Sequence, residues 1–209
     1  MDWNHPEHLF GSGLEPVVLR TLWRAGGPMT GAEVHRVARK GSVRGVREAL
    51  SRLARQGIVV STRVGPALTH ALNQEHLGFP AVDAAFRALD PWNQFRSRVS
   101  EVMAEHGPDD PLSVTVAVFG SVARGEARLD SDVDLVVVVD EVDDSTQSLA
   151  DELRSALGAA TGQAVQIYLT TPARLHDAVR LGDPIVDSFR SDTRAVSGPD
   201  LRTYLQEHP

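Results

Sequence analysis

Asp132 and Asp134 stand two residues apart at the mouth of a strand made almost wholly of valine, within VAVFGSVARGEARLDSDVDLVVVVD, Val116 to Asp140. Successive side chains of a strand point to opposite faces, so the two acids share one face and Val133 takes the other. Paired carboxylates suit a hard cation such as Mg²⁺, which prefers oxygen and bridges to substrate phosphates. Upstream, the apolar strand Leu112 to Phe119 runs into Gly120-Ser121. A Gly-Ser turn at a helix start offers backbone N–H groups and a hydroxyl to an anion, and glycine lets the backbone come close. A phosphate cradle beside paired acids points to nucleotide chemistry. In two-metal phosphoryl transfer one cation activates the attacking hydroxyl and the other neutralises the leaving pyrophosphate.

The elements that must hold these residues alternate between strand and helix, which predicts an α/β or α+β domain. The Gly-Ser turn leads into a short helix through Ala123, and the turn EARLDS precedes the strand DVDLVVVVD. STQSLADELRSALGAATG reads as a helix capped by Ser145, with Leu149, Leu153 and Leu157 stacked at helical spacing. AVQIYLTTP reads as a further strand, and ARLHDAVRLGDPIVDSFRSD as a helical tail with a break at Gly182–Pro184.

FGSVARGEARLDSDVDLVV resembles the signature of the DNA polymerase beta-type nucleotidyltransferases, especially the minimal bacterial ones. Gly120, Ser121, Arg124, Gly125, Ser131, Asp132, Asp134 and Leu135 fall on that pattern. The resemblance implies the family fold across roughly 93–200, a small mixed sheet with helices on one side. It implies Mg²⁺ and a nucleoside triphosphate, ATP by default, as ligands. Asp132 and Asp134 would be the metal-binding and catalytic acids, and Gly120, Ser121, Arg124 and Ser131 would contact the nucleotide. The family also uses a third carboxylate on a neighbouring strand. In AVQIYL the matching position is Gln166, with Gln163 the other choice of register. Glutamine is neutral, a poor Mg²⁺ ligand and no general base. Asp140, Glu141, Asp143 and Asp144 lie past the far end of the valine strand and are not expected to substitute. Asp177, Asp183 and Asp187 would serve only if the tail folds back over the site.

The N-terminal part follows a different plan. Glu15–Ala25 has helical apolar spacing and stops at Gly26-Gly27-Pro28. Thr30 and Glu33 stand as a reciprocal capping pair for the helix GAEVHRVARK, and Ser42 caps VRGVREALSRLARQG. IVVSTRV and ALTHALN read as a hairpin around GP. Three helices and a hairpin resemble a winged helix-turn-helix over roughly Gly13 to Asn73. That likeness implies double-stranded DNA as a partner, with the third helix in the major groove. Ser42, Arg44 and Arg47 would face base edges, while Arg39, Lys40 and Arg63 would meet phosphates. His35 and His70 read as ordinary histidines, not ligands.

Charge divides the chain in the same way. Residues 1–80 hold ten basic and six acidic residues, net +4, and the remainder eleven against 22, net −11, together the −7 of the 209-residue chain. A basic part joined to an acidic part suggests different partners. The expected divisions are a winged helix over 1–80, a helical linker over 81–92 and a nucleotidyltransferase-like domain over 93–209. Trp92 and Phe95, in the helix leading to Gly107, read as core residues. With no cysteine there are no disulfides or thiolate metal sites, which fits a reducing cytoplasm. MDWNHPEHLF lacks the pattern of a secretory signal, and the apolar run Leu135 to Val139 is too short to span a membrane. The expected protein is a homodimeric DNA-binding regulator that senses a Mg²⁺–nucleotide. The alternative is an active enzyme transferring a nucleotidyl group to a hydroxyl of protein, RNA or a small molecule.

Overall fold

The computed structural model describes residues 1–206. They form two compact units, one of His5–Asp90 and the other of Met1–Asn4 with the chain from Pro91 onward.

In the first unit, helices α1 (Leu14–Ala25), α2 (Gly31–Ala38) and α3 (Val43–Gln56) pack on a three-stranded antiparallel sheet. The sheet joins β1 (Met29–Thr30), β2 (Val59–Val64) and β3 (Ala67–Leu72) in the order β1-β3-β2. The expected caps form: the Thr30 side chain accepts from the Glu33 N–H while Glu33 accepts from the Thr30 N–H, and Ser42 accepts from the Gly45 N–H at 3.0 Å. Val18, Leu22, Val34, Val46, Leu50 and Leu53 meet in one core. Helix α4 (Phe79–Ala88) sends Phe79 and Val82 against this core. The Trp23 indole N–H also donates to Asp83 at 2.9 Å. Those contacts tie residues 81–90, read from sequence as a linker, to the first unit.

The second unit is a four-stranded mixed sheet in the order β6-β5-β4-β7. Its strands are β4 (Thr115–Phe119), β5 (Val133–Val138), β6 (Val165–Thr170) and β7 (Arg194–Ser197). Strand β5 pairs antiparallel with β4 and parallel with β6, and helix α7 (Asp144–Thr161) makes the crossover between β5 and β6. On one face, Val116, Val118, Leu135 and Val137 pack with Phe95, Val99 and Val102 of α5 (Pro91–His106) and with Leu149, Leu153 and Leu157 of α7. On the other, Ala117, Val136 and Val138 pack with α8 (Pro172–Leu181), α9 (Ile185–Asp192) and the 3-10 turn Leu201–Leu205. Helices therefore cover both faces, where the family likeness implied one. The tail has enough apolar residues, Leu175, Val186 and Phe189 among them, to close the second face. Helix α7 is capped by Asp143, whose side chain accepts from the Thr146 N–H at 2.8 Å, and not by Ser145.

Trp3 joins the first of these two cores, 7 % exposed, with ring centroids 4.9 Å from Trp92 and 5.5 Å from Phe95. This is why Met1–Asn4, assigned to 1–80 from sequence, belong with the chain from Pro91 onward.

Candidate nucleotide and metal site

Phe119 ends β4 directly opposite Asp134 of β5. The chain then turns through Gly120 into the five-residue helix α6 (Gly120–Arg124). Gly120 has φ +71°, a region L side chains enter only with strain. A Cβ built there would stand 2.7 Å from Asp134 Oδ2. The glycine therefore serves two needs, the turn and the close approach of backbone to carboxylate. Half-buried Ser121 follows, its carbonyl accepting from the Glu126 N–H at 2.9 Å, which closes the turn.

Asp132 immediately precedes β5 and is exposed, while Asp134 is half-buried within it and Val133 between them is fully buried. The alternation read from sequence thus holds. Burial pushes the Asp134 carboxyl above its ordinary range, the negative charge of Asp132 pushes the same way, and the Arg124 guanidinium opposes both. A carboxylate whose charged form is disfavoured by burial and by a neighbouring acid gains from a nearby cation.

In the parallel β5–β6 ladder, Asp134 pairs with Gln166. Directly paired residues share a face, so exposed Gln166 stands beside Asp134, as the register chosen from the family likeness expected. Gln163, the other register choice, is buried and held elsewhere: its Oε1 accepts from the Trp3 indole N–H at 2.7 Å and its Nε2 donates to the Ser131 carbonyl at 2.8 Å. Among the described residues no group of three His, Asp or Glu side chains is placed to hold a metal ion. Asp177 is instead paired with Arg180 at 2.8 Å.

Arg124 is bound on both sides, to Glu126 at 2.8 Å and to Asp192 at the end of α9 at 2.6 Å. Those two carboxylates raise its already high pKa, and the hydrogen bond from Arg124 in turn holds the Asp192 carboxyl below its usual range. Ser131 turns into its own loop, where its hydroxyl accepts from the Arg128 N–H at 2.8 Å. The fold thus gathers Gly120, Ser121, Arg124, Asp132 and Asp134 around the β4–β5 pair. The aromatic cluster of Phe119, Tyr168 and Phe189 covers the sheet just beyond the acids. Sequence reading missed Asp192 and Glu126 as partners of Arg124, and Trp3 and Gln163 as holders of the loop. No spacing rule links residues 68 or 160 positions apart.

In the first unit Arg39, Lys40, Ser42, Arg44, Arg47 and Arg63 are all exposed. Arg39 and Lys40 lie in the turn between α2 and α3, the next three at the start of α3, and Arg63 on β2. The Ser42 hydroxyl is engaged as the α3 cap, and Arg44 pairs with Glu48 at 2.8 Å on the open surface. His35 lies 3.2 Å from the Gly41 carbonyl and His70 2.8 Å from the Ser61 hydroxyl.

Residues 96–195 match the family model described as Nucleotidyltransferase domain. The C-terminal half therefore carries a domain of nucleotidyltransferase type. No curated protein and no solved structure matches the chain. No helix among the described residues is long and apolar enough to cross a membrane.

Proposed function

We propose that the nucleotidyltransferase-type domain binds a Mg²⁺–nucleoside triphosphate with little or no transfer, and that the chain is a DNA-binding regulator responding to that ligand. The observation that carries the reading is the pairing of Asp134 with the neutral Gln166. Asp132 and Asp134 would hold a cation, and the missing Cβ at Gly120 lets the Asp134 carboxylate sit against the turn that would meet the phosphates. Mg²⁺ bound there would neutralise the triphosphate's charge. Ser121 and the adjoining backbone would donate to phosphate oxygens. Arg124 would exchange its contacts with Glu126 and Asp192 for phosphate, to which guanidinium is suited. Gln166 accepts no proton from an attacking hydroxyl. An interaction needed chiefly in the transition state is then missing, while ground-state binding survives.

The helix order α1–α2–α3 with the β2–β3 hairpin, and the exposed arginines of α3 and its preceding turn, support a winged helix as the DNA-reading part. The second reading, an active nucleotidyltransferase, is favoured by the intact arrangement of Gly120, Asp132 and Asp134. One comparison separates them. Calorimetry with ATP and Mg²⁺ should give binding that a chelator weakens and that Asp132→Asn with Asp134→Asn removes. Single-turnover pyrophosphate release should be slow for the natural chain and at least tenfold faster for Gln166→Asp with an acceptor present. Fast release by the natural chain would establish the enzyme reading instead.

A further inference from the structure

We infer that Trp3 is a positioning residue for this site, acting through Gln163 on the loop that carries Asp132; the inference rests on the reading of Asp132 and Asp134 as a cation site. Ser131 and Val133, the neighbours of Asp132, are each anchored. The Val133 N–H donates to the Ala164 carbonyl at 2.8 Å, and the Ser131 carbonyl accepts from Gln163 Nε2 at 2.8 Å. Gln163 Nε2 also reaches the Arg128 carbonyl at 3.3 Å. Ala127 is buried in the core and the Arg128 N–H donates to the Ser131 hydroxyl, but the rest of the loop is open to solvent, with Leu129 at 68 % exposure and the Arg128, Asp130 and Asp132 side chains exposed.

The tether matters because the two carboxylates repel. A free loop would relax by swinging Asp132 away from half-buried Asp134, and the cation site would open. Gln163 opposes that movement only while its amide faces the loop. Indole nitrogen is a donor alone, so Trp3 holds Oε1 on its own side and leaves Nε2 for the loop carbonyls. Gln163 is 7 % exposed, so without the indole N–H its oxygen is buried unsatisfied and the amide is drawn toward water. Trp3 itself is locked by Trp92 and Phe95. Residue 3 is thereby linked to the metal-binding loop by two hydrogen bonds.

The test uses the full chain with Trp3→Phe, Gln163→Leu and, as a packing control in the same core away from the Trp3 rings, Leu153→Ala. The first readout is hydrogen exchange over residues 126–134 without ligand, and the second is Mn²⁺ binding with and without ATP, followed by the free Mn²⁺ signal. Trp3→Phe and Gln163→Leu should speed exchange in the loop about tenfold and weaken Mn²⁺ about three- to tenfold. Leu153→Ala should lower the melting temperature and leave Mn²⁺ affinity unchanged. Unchanged loop exchange in Trp3→Phe overturns the tether, and equal loss of Mn²⁺ affinity in Leu153→Ala overturns positioning in favour of general loosening. If the natural chain takes up no Mn²⁺, the cation site itself falls and the role of Trp3 falls with it, a result told apart by the exchange data.

Discussion

Gly120 carries two constraints in one position, and a single methyl group tests both. Gly120→Ala meets a left-handed backbone, which costs about 1–2 kcal/mol, and sets its Cβ against Asp134 Oδ2. The carboxylate must shift, so ligand affinity should fall further than stability: about tenfold in Mg²⁺–ATP affinity by calorimetry, with the fold retained by circular dichroism. Equal affinity in the variant would mean that the ligand does not use Asp134. At this scale the sequence was most legible where a local rule applies. Asp132 and Asp134 declare themselves by a period of two, and Gln166 by its distance along a strand of known start. Gln163 did not, because its meaning comes from Trp3, 160 residues away. The fate of Arg124 was hidden likewise, since Asp192 arrives only when α9 folds onto the sheet.

Among the elements, β3 carries a histidine in its middle. His70 is buried, paired across the sheet with Met29 and Ser61, and burial holds its pKa below the ordinary value of 6.5. The unfolded chain takes up a proton near 6.5 that the folded strand refuses until lower pH. Stability is therefore full above about pH 6.5 and falls as pH drops through that value toward the folded pKa. His70→Gln keeps a polar group for Ser61 and removes the titration. Between pH 7.5 and 5.5 the natural protein should lose about 2–4 °C more in melting temperature than the variant; parallel losses would show that His70 does not titrate in this range. Helices and long strands were readable because caps and apolar periods mark them. Strands β1 and β7, of two and four residues, were not, since neither has a pattern of its own and each exists by pairing with a neighbour. The cap of α7 moved from Ser145 to Asp143 for a related reason: both are good caps, and the end of β5 decides where the chain turns.

Over the whole molecule, charge and chain path matter most. The first 80 residues carry net +4 and the rest net −11, and the proposed DNA contact is therefore assigned to the basic residues of the first unit. Arg47→Ala should weaken binding to a selected duplex by about 1–3 kcal/mol if the side chain reads a guanine edge. Arg63→Ala should weaken all duplexes alike and flatten the salt dependence by about one unit of slope. Selection from random duplexes that enriches no sequence would count against an operator-reading role. The sequence had suggested two successive domains, whereas Met1–Asn4 and the chain from Pro91 onward make one unit with the other strung between. Order of synthesis follows from that path. Trp3 leaves the ribosome 160 residues ahead of Gln163 and of the β6 strand that follows it. The first unit has all of its chain by residue 90 and can fold while the tryptophan waits. The second must still recapture that tryptophan, closing a long loop before the contact rewards it. A fragment cut at residue 90, the natural place to divide the chain by eye, would leave the nucleotidyltransferase-type half with a hole where an indole belongs.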